Sequence, residues 1–196
     1  MKVTGGKYRG KNIESRTEKT LRPTTARVRE TMFNILAHGK FIYEDDFISD
    51  DNPSLIEDRK VIDIFCGTGA LAIEAISRGA SFVYLVDQNP QTLSLAKENI
   101  DSLGDGENAS YIRSDSTLLP SAFEKCDLAF IDPPYNKNLG VPAIKSLAKN
   151  GWLKIGAIIV LEHGKQDDVQ DIAGFRMLDN RTSDKTRITF YQYTGE

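Results

Sequence analysis

Apolar residues recur along most of the chain with two alternating periods, and that alternation predicts the architecture. Apolar runs at 61–65, 82–87, 109–113, 127–131 and 156–161 have the length and the flanking turn residues of buried strands. Stretches at about 69–79, 90–103 and 138–149 instead carry the three-to-four-residue spacing of helices. Strands alternating with helices predict an α/β chain built on a doubly wound parallel sheet. The tail adds strands around 175–178 and 187–193, the latter alternating through Ile188, Phe190 and Tyr191; paired at the sheet edge, they would end the fold antiparallel. Ahead of the sheet, residues 3–13 read as a short strand or hairpin broken by Gly5, Gly6 and Gly10. A helix follows Arg22-Pro23-Thr24-Thr25: either threonine can cap it, and Val28, Met32, Ile35 and Leu36 form its buried stripe. Residues 43–58 are acidic and unpatterned. The predicted organisation is a basic appendage over 1–40 packed on the main domain, an acidic connector over 41–60, and the sheet domain over 61–196.

Composition narrows the class. At 196 residues, 40% hydrophobic and 27% charged, the chain suits one soluble globular domain with a core of ordinary size. No apolar run approaches a membrane span and residues 1–6 lack the apolar stretch of a secretion signal, so a cytoplasmic protein without membrane contact is expected. Cys66 and Cys126 sit in or beside predicted strands without metal-ligand spacing, which reads as reduced core thiols and no metal.

The net charge of −3 conceals a segregation: residues 1–40 hold 10 Lys/Arg against 3 Asp/Glu, and the remainder is acidic. A basic segment on an acidic body suits an arm that binds phosphates, although runs of charge also serve as solvated faces. Lys7, Arg9 and Lys11 in the first segment, with Arg22, Arg27 and Arg29 lying off the buried stripe of the helix, are the candidate contacts to RNA.

Candidate chemistry concentrates at the ends of predicted strands, where ligands of open α/β sheets bind. The run Val61-Ile62-Asp63-Ile64-Phe65-Cys66-Gly67-Thr68-Gly69-Ala70 is a buried strand that passes through a glycine turn into a helix. Asp87 ends the next strand, twenty residues after Gly67, where a carboxylate can accept both hydroxyls of a ribose. A nicotinamide dinucleotide register on Gly67 would need glycine where Phe65 stands. Asp63 instead suits a cofactor with an amino group. S-adenosylmethionine has that group, a ribose for Asp87 and a sulfonium methyl, and Asp115 after the third strand can accept from its adenine amine. Asp63, Phe65, Gly67, Gly69, Asp87 and Asp115 are therefore the cofactor candidates, though a capping or turn role is open to Asp63 and Asp115.

Directly after the fourth strand stands Asp132-Pro133-Pro134-Tyr135. An exocyclic amine on guanine or adenine is a weak nucleophile because its lone pair is delocalised into the ring. A carboxylate and a carbonyl that accept its N–H bonds return electron density to nitrogen and stabilise the charge that develops there. Asp132 and the Pro133 carbonyl suit that task, Pro133 and Pro134 stiffen the turn, and Tyr135 offers a stacking face. The alternative is a tight turn after a buried strand. Glu162-His163, past the fifth strand and near the same sheet edge, reads as a solvated loop pair, with contact to substrate as the alternative.

These strings together, with Gly5-Gly6-Lys7-Tyr8-Arg9-Gly10-Lys11, residues 22–30 and Phe33-Asn34, resemble class I S-adenosylmethionine-dependent methyltransferases. Within them the chain is similar to the bacterial small-subunit ribosomal RNA (guanine-N2)-methyltransferases, the RsmD-like group. The resemblance implies a Rossmann-like seven-stranded sheet of order 3-2-1-4-5-7-6. It also implies methyl transfer to guanine N2 of 16S ribosomal RNA; the expected substrate is the RNA within a partly assembled ribosomal particle, and the expected enzyme is a monomer. An adenine-N6 methyltransferase on DNA or RNA, a catalytically silent RNA-binding assembly factor and, more distantly, a nicotinamide oxidoreductase are the competing readings.

Overall fold

The computed structural model describes residues 1–15, 26–38, 54–135, 137–167, 171–182 and 186–195. Arg22, the capping threonines Thr24 and Thr25, and most of the acidic connector lie outside the described residues. Seven strands form one sheet: β1 (Lys60–Ile64), β2 (Phe82–Asp87), β3 (Ala109–Arg113), β4 (Cys126–Ile131), β5 (Leu153–Gly164), β6 (Phe175–Thr182) and β7 (Thr186–Tyr193). Their order is β3-β2-β1-β4-β5-β7-β6, with β7 antiparallel to both neighbours and the first five strands parallel. The expected order and the antiparallel edge are both present.

Helices α1 (Ala26–His38), α2 (Ala70–Ser77), α3 (Pro90–Asp101) and α4 (Gly140–Lys149) cover the sheet. One face packs against the first three through Met32, Phe33, Ala72, Ile73 and Ala96, with the rings of Phe33 and Phe130 5.2 Å apart. The opposite face packs against Ala143, Ile144 and Leu147 of α4 and against the fully buried Trp152, whose indole N–H donates to the Pro120 carbonyl. Continuous burial on both faces explains why β1, β2 and β4 read as unbroken apolar runs rather than as alternating ones. None of the helices is long and apolar enough to cross a membrane among the described residues.

Two expected boundaries move for identifiable reasons. α2 is shorter than its periodicity suggests because Gly69 and Gly79, at φ of 80° and 99°, bracket it. β5 is longer, running to Gly164, because antiparallel pairing with β7 continues through Glu162↔Ile188 and Gly164↔Thr186. Glu162 and His163 are consequently not a solvated loop pair. They are strand residues, 1% and 2% exposed.

The first segment closes with one antiparallel bridge, Lys2↔Asn12, and docks on α2: Lys7 N–H donates to the Ser77 carbonyl and Tyr8 N–H to Ser77 Oγ. Gly6 is required there, since its φ is 73° and a Cβ would fall 1.7 Å from the Ser77 carbonyl oxygen. Glu74 of α2 is the hub of this contact. Fully buried, it accepts from Thr4 N–H and Oγ1, from Arg78 and from Arg29 Nε at 3.3 Å. Arg29, a candidate RNA contact by its place on the helix, is 0% exposed and also donates to the Lys2 carbonyl. A buried guanidinium must be paired, and Glu74 with the Lys2 carbonyl does so. Arg29 is thus a structural ion-pair residue rather than an RNA contact.

Candidate active site

The parallel register assembles the site. Val86, Ile64, Ile131 and Leu161 form one row across β2, β1, β4 and β5. One residue further along stand the candidates for the chemistry: Asp87 ends β2, Phe65 and Asp132 lie just past the ends of β1 and β4, and Glu162 within β5 pairs with Ile188 of β7, itself paired with Arg181 of β6. Paired residues on neighbouring strands stand about 4.8 Å apart. Residues as far apart in sequence as Phe65 and Ile188 therefore share one edge.

The glycine turn between β1 and α2 is shaped for close approach. Phe65 and Gly67 both have positive φ, 61° and 53°. For a phenylalanine this is an unusual backbone state, of the kind found where surrounding structure holds a functional turn. Its N–H donates to Ser116 Oγ at 3.3 Å. Open space surrounds the position of a Cβ at Gly67, whereas at Gly69 it would lie 3.1 Å from Leu85 and 3.2 Å from Ala96. Gly69 thus lets α2 and α3 pack together, and Gly67 leaves the turn accessible to a ligand.

The carboxylates around this turn are in different states. Asp63 is 1% exposed; its Oδ2 accepts from Ala72 N–H at 3.1 Å and its Oδ1 has no partner. Burial, with a smaller contribution from the charge of Asp87, pushes its pKa up to about 7 against the hydrogen bond from Ala72. A buried acceptor without a donor is costly unless a ligand completes it. A ligand's ammonium group is the kind of donor that would.

Asp87 already accepts from Gly67 N–H at 3.0 Å through Oδ2 and from Asn89 N–H at 2.8 Å through Oδ1. It ties the glycine turn to the start of α3, and further acceptor capacity on both oxygens remains for ribose hydroxyls. Asp115 is exposed, and Thr117 N–H and Oγ1 both donate to its Oδ1, which holds its carboxyl below the usual range. It shapes the turn after β3.

Asp63 also gives a signed pH dependence. An acid with a raised pKa in the folded state contributes fully below its unfolded value, near pH 4, and the contribution is lost as pH rises to about 7. Asp63→Asn is therefore expected to gain stability relative to the wild type by about 1 kcal/mol per pH unit at most between pH 4 and 7, then level off. Urea unfolding without cofactor across that range checks it. A pH-independent difference would show that the carboxyl ionises freely in the fold.

Beyond β4, Pro133 is buried and Pro134 exposed, with Asp132 and Tyr135 half-buried. The Tyr135 hydroxyl donates to Glu162 Oε1 at 2.5 Å. Sequence reasoning missed this partner because Glu162-His163 looked like a polar exit from the strand. His163 is held as well: Nδ1 lies 3.0 Å from the Gly164 carbonyl and Nε2 2.9 Å from Thr189 Oγ1, so Nδ1–H donates and Nε2 accepts. Burial lowers its pKa and keeps the ring neutral. Cys66 and Cys126 are free, buried thiols, and burial pushes both pKa values up.

The basic candidates scatter. Arg9, Lys11 and Arg27 are exposed, while Lys7 pairs with Asp105 at 2.9 Å. Lys165 and Arg181, which sequence patterning did not single out, line a pocket together with Arg27.

Known proteins share both sequence and shape with this chain. "Ribosomal RNA small subunit methyltransferase D" of Escherichia coli K12 is 32% identical, covering 83% of this chain and 74% of its own. "Uncharacterized methylase RP545" of Rickettsia prowazekii is 30% identical over 86% of this chain and 87% of its own. The solved structure of "Putative methyltransferase yhhF" from Escherichia coli superposes with a TM-score of 0.80 at 28% identity, covering 100% of this chain and 99% of that one. A family model described as "Conserved hypothetical protein 95" matches residues 1–192, and the chain belongs to that family, the RsmD-like methyltransferases.

Proposed function

We propose that the protein methylates the exocyclic N2 of a guanine in small-subunit ribosomal RNA, with S-adenosylmethionine as donor. The observation that carries this reading is the pairing of β1 with β4 through Ile64↔Ile131, which brings Asp132 and the glycine turn to the same end of the sheet. The likeness over most of the chain to a named small-subunit ribosomal RNA methyltransferase supports the substrate class.

The residues present fit the cofactor. Asp63 Oδ1 would accept from its ammonium, Asp87 from its ribose hydroxyls, and Gly67 leaves room for it beside the turn. When bound, the cofactor supplies an electrophilic methyl on sulfur. Asp132 and the Pro133 carbonyl accept the two N–H bonds of a base flipped out of its stack, which orients the nitrogen lone pair away from both acceptors. As positive charge builds on nitrogen the carboxylate stabilises it, and because the prolines hold the turn beforehand little reorganisation is needed. Tyr135 supplies a ring face for the base, and its hydroxyl bond to Glu162 anchors the far end of the ring.

The decisive experiment is labelled-methyl transfer onto unmodified small-subunit RNA and onto small-subunit particles, followed by nucleoside analysis. N2-methylguanosine is expected. N6-methyladenosine would replace this reading with an adenine methyltransferase, and cofactor binding without transfer to either substrate would leave a silent RNA-binding factor.

Asp87 offers a second check. Asp87→Ala should weaken S-adenosylmethionine binding by about 1–3 kcal/mol, through lost charge-assisted bonds and a loosened turn. Unchanged affinity by calorimetry in a folded variant would remove Asp87 from the cofactor site.

A further inference from the structure

The sheet edge that carries the chemistry does not end at Glu162. It continues across β7 and β6, and a pocket of about 380 Å³ opens there between the sheet edge and the start of α1. Three cations from three elements line it: Arg27 of α1, Lys165 just past β5, and Arg181 of β6. Thr31 and Thr182 add hydroxyls, and Ile188 forms an apolar part of the wall. Lys165 and Arg27 are exposed, and Arg181 is 58% exposed while pairing with Asp179 at 2.9 Å. That pair neutralises part of the charge of Arg181, yet among the described residues the lining holds no carboxylate.

Position makes the pocket informative. Ile188 is the direct cross-strand partner of both Glu162 and Arg181. Glu162 holds the hydroxyl of Tyr135, so the pocket wall begins about one strand spacing from the residue that anchors the stacking ring. A base flipped onto Tyr135 would carry its flanking phosphodiesters out over this part of the edge. Guanidinium groups suit phosphate through paired N–H donors, and a lysine adds a compact charge.

We infer that the pocket formed by Arg27, Lys165 and Arg181 grips the RNA backbone next to the flipped nucleotide. This rests on the RNA-methyltransferase reading above. The grip belongs to the C-terminal strands as much as to the basic N-terminal segment, since two of its three cations come from β6 and the end of β5.

The test is the salt dependence of binding to a fluorescently labelled, unmodified fragment of small-subunit RNA, measured by anisotropy on the full chain. Arg27→Ala/Lys165→Ala/Arg181→Ala should bind about tenfold more weakly or worse at low salt, and its log–log salt slope should fall by about 2, at roughly 0.7 per lost single-strand phosphate contact. Melting temperature and S-adenosylmethionine affinity should be those of the wild type. The charge-preserving Arg27→Lys/Arg181→Lys variant should keep the wild-type slope. A wild-type slope in the triple alanine variant overturns the pocket, and does so most directly if Lys7→Ala/Arg9→Ala/Lys11→Ala alone flattens it. Wild-type transfer of methyl groups to RNA alongside that result would leave the enzymatic reading standing. A flattened slope without any methyl transfer by the wild type would instead sink the enzymatic reading and keep a polyanion site. Absence of RNA binding by the wild type overturns both.

Discussion

Replacing Asp132 with alanine is expected to lower the single-turnover methylation rate by about 10²-fold or more, the scale of removing a preorganised partner of transition-state charge. The effect falls on the chemical step because the carboxylate gains most as nitrogen becomes positive, not when the neutral base docks. S-adenosylmethionine affinity should persist, since the cofactor candidates Asp63, Gly67 and Asp87 lie on β1, its turn and β2. Rapid-quench measurement at saturating cofactor and RNA checks this. Methylation at the wild-type rate would reduce the tetrapeptide to a rigid turn. Tyr135 separates stacking from anchoring: Tyr135→Ala should lose about 1–3 kcal/mol of base stacking. A reading of the ring alone would leave Tyr135→Phe largely active. The hydroxyl contact to Glu162 adds a second effect, because the phenylalanine removes a donor from a buried carboxylate, and this variant should lose stability by about 1–3 kcal/mol while retaining the stacking face.

Glu74→Ala should produce the largest loss of stability, about 3–5 kcal/mol, by leaving the guanidinium of Arg29 buried without its partner. It also strands Thr4 N–H, so the first segment should detach from α2 and become sensitive to proteolysis around Thr4. Burial already lowers the Arg29 pKa against the opposing pull of Glu74, which shows how much the site depends on the carboxylate. Denaturant unfolding measures the loss. Wild-type stability would mean that water and the Lys2 carbonyl satisfy the guanidinium without the carboxylate. Arg29→Met distinguishes the cost of an orphaned charge from the worth of the pair, because an apolar side chain of similar length leaves Glu74 with Arg78 and should cost far less than Glu74→Ala. Neither variant should alter the salt slope of RNA binding through loss of a phosphate contact, as Arg29 has no exposed surface.

The contrast between Arg29 and Arg27 shows where sequence reasoning stops. Both are arginines in the first turns of α1, and neither belongs to the apolar stripe of Val28, Met32 and Leu36. Helical spacing assigns faces only relative to one partner, whereas α1 is enclosed by the sheet on one side and by residues 1–4 and α2 on another. A polar residue can then be buried if another element brings the matching charge, and Glu74 stands 45 positions away. No local pattern carries that information. Glu162 misled in the same way, since a carboxylate after an apolar run reads as the strand's exit until Tyr135 is seen to reach it.

Much was nonetheless determined by the sequence by itself: the alternation of strands and helices, the glycine turn, the acid at the end of β2 and the Asp-Pro-Pro-Tyr string after β4. These are local features, in which backbone preference, periodicity and side-chain chemistry act within a few residues of one another. Only the tertiary structure decided which of those ends meet. The pairing of β2, β1, β4, β5, β7 and β6 brings the strand ends that carry Asp87, Phe65, Asp132, Glu162 and Arg181 to one edge of the sheet, drawing Arg181 into the neighbourhood of a site 49 residues earlier at Asp132. It also decided which charges are buried in pairs and which remain on the surface, because desolvation depends on every element packed around a group and not on its neighbours in the chain.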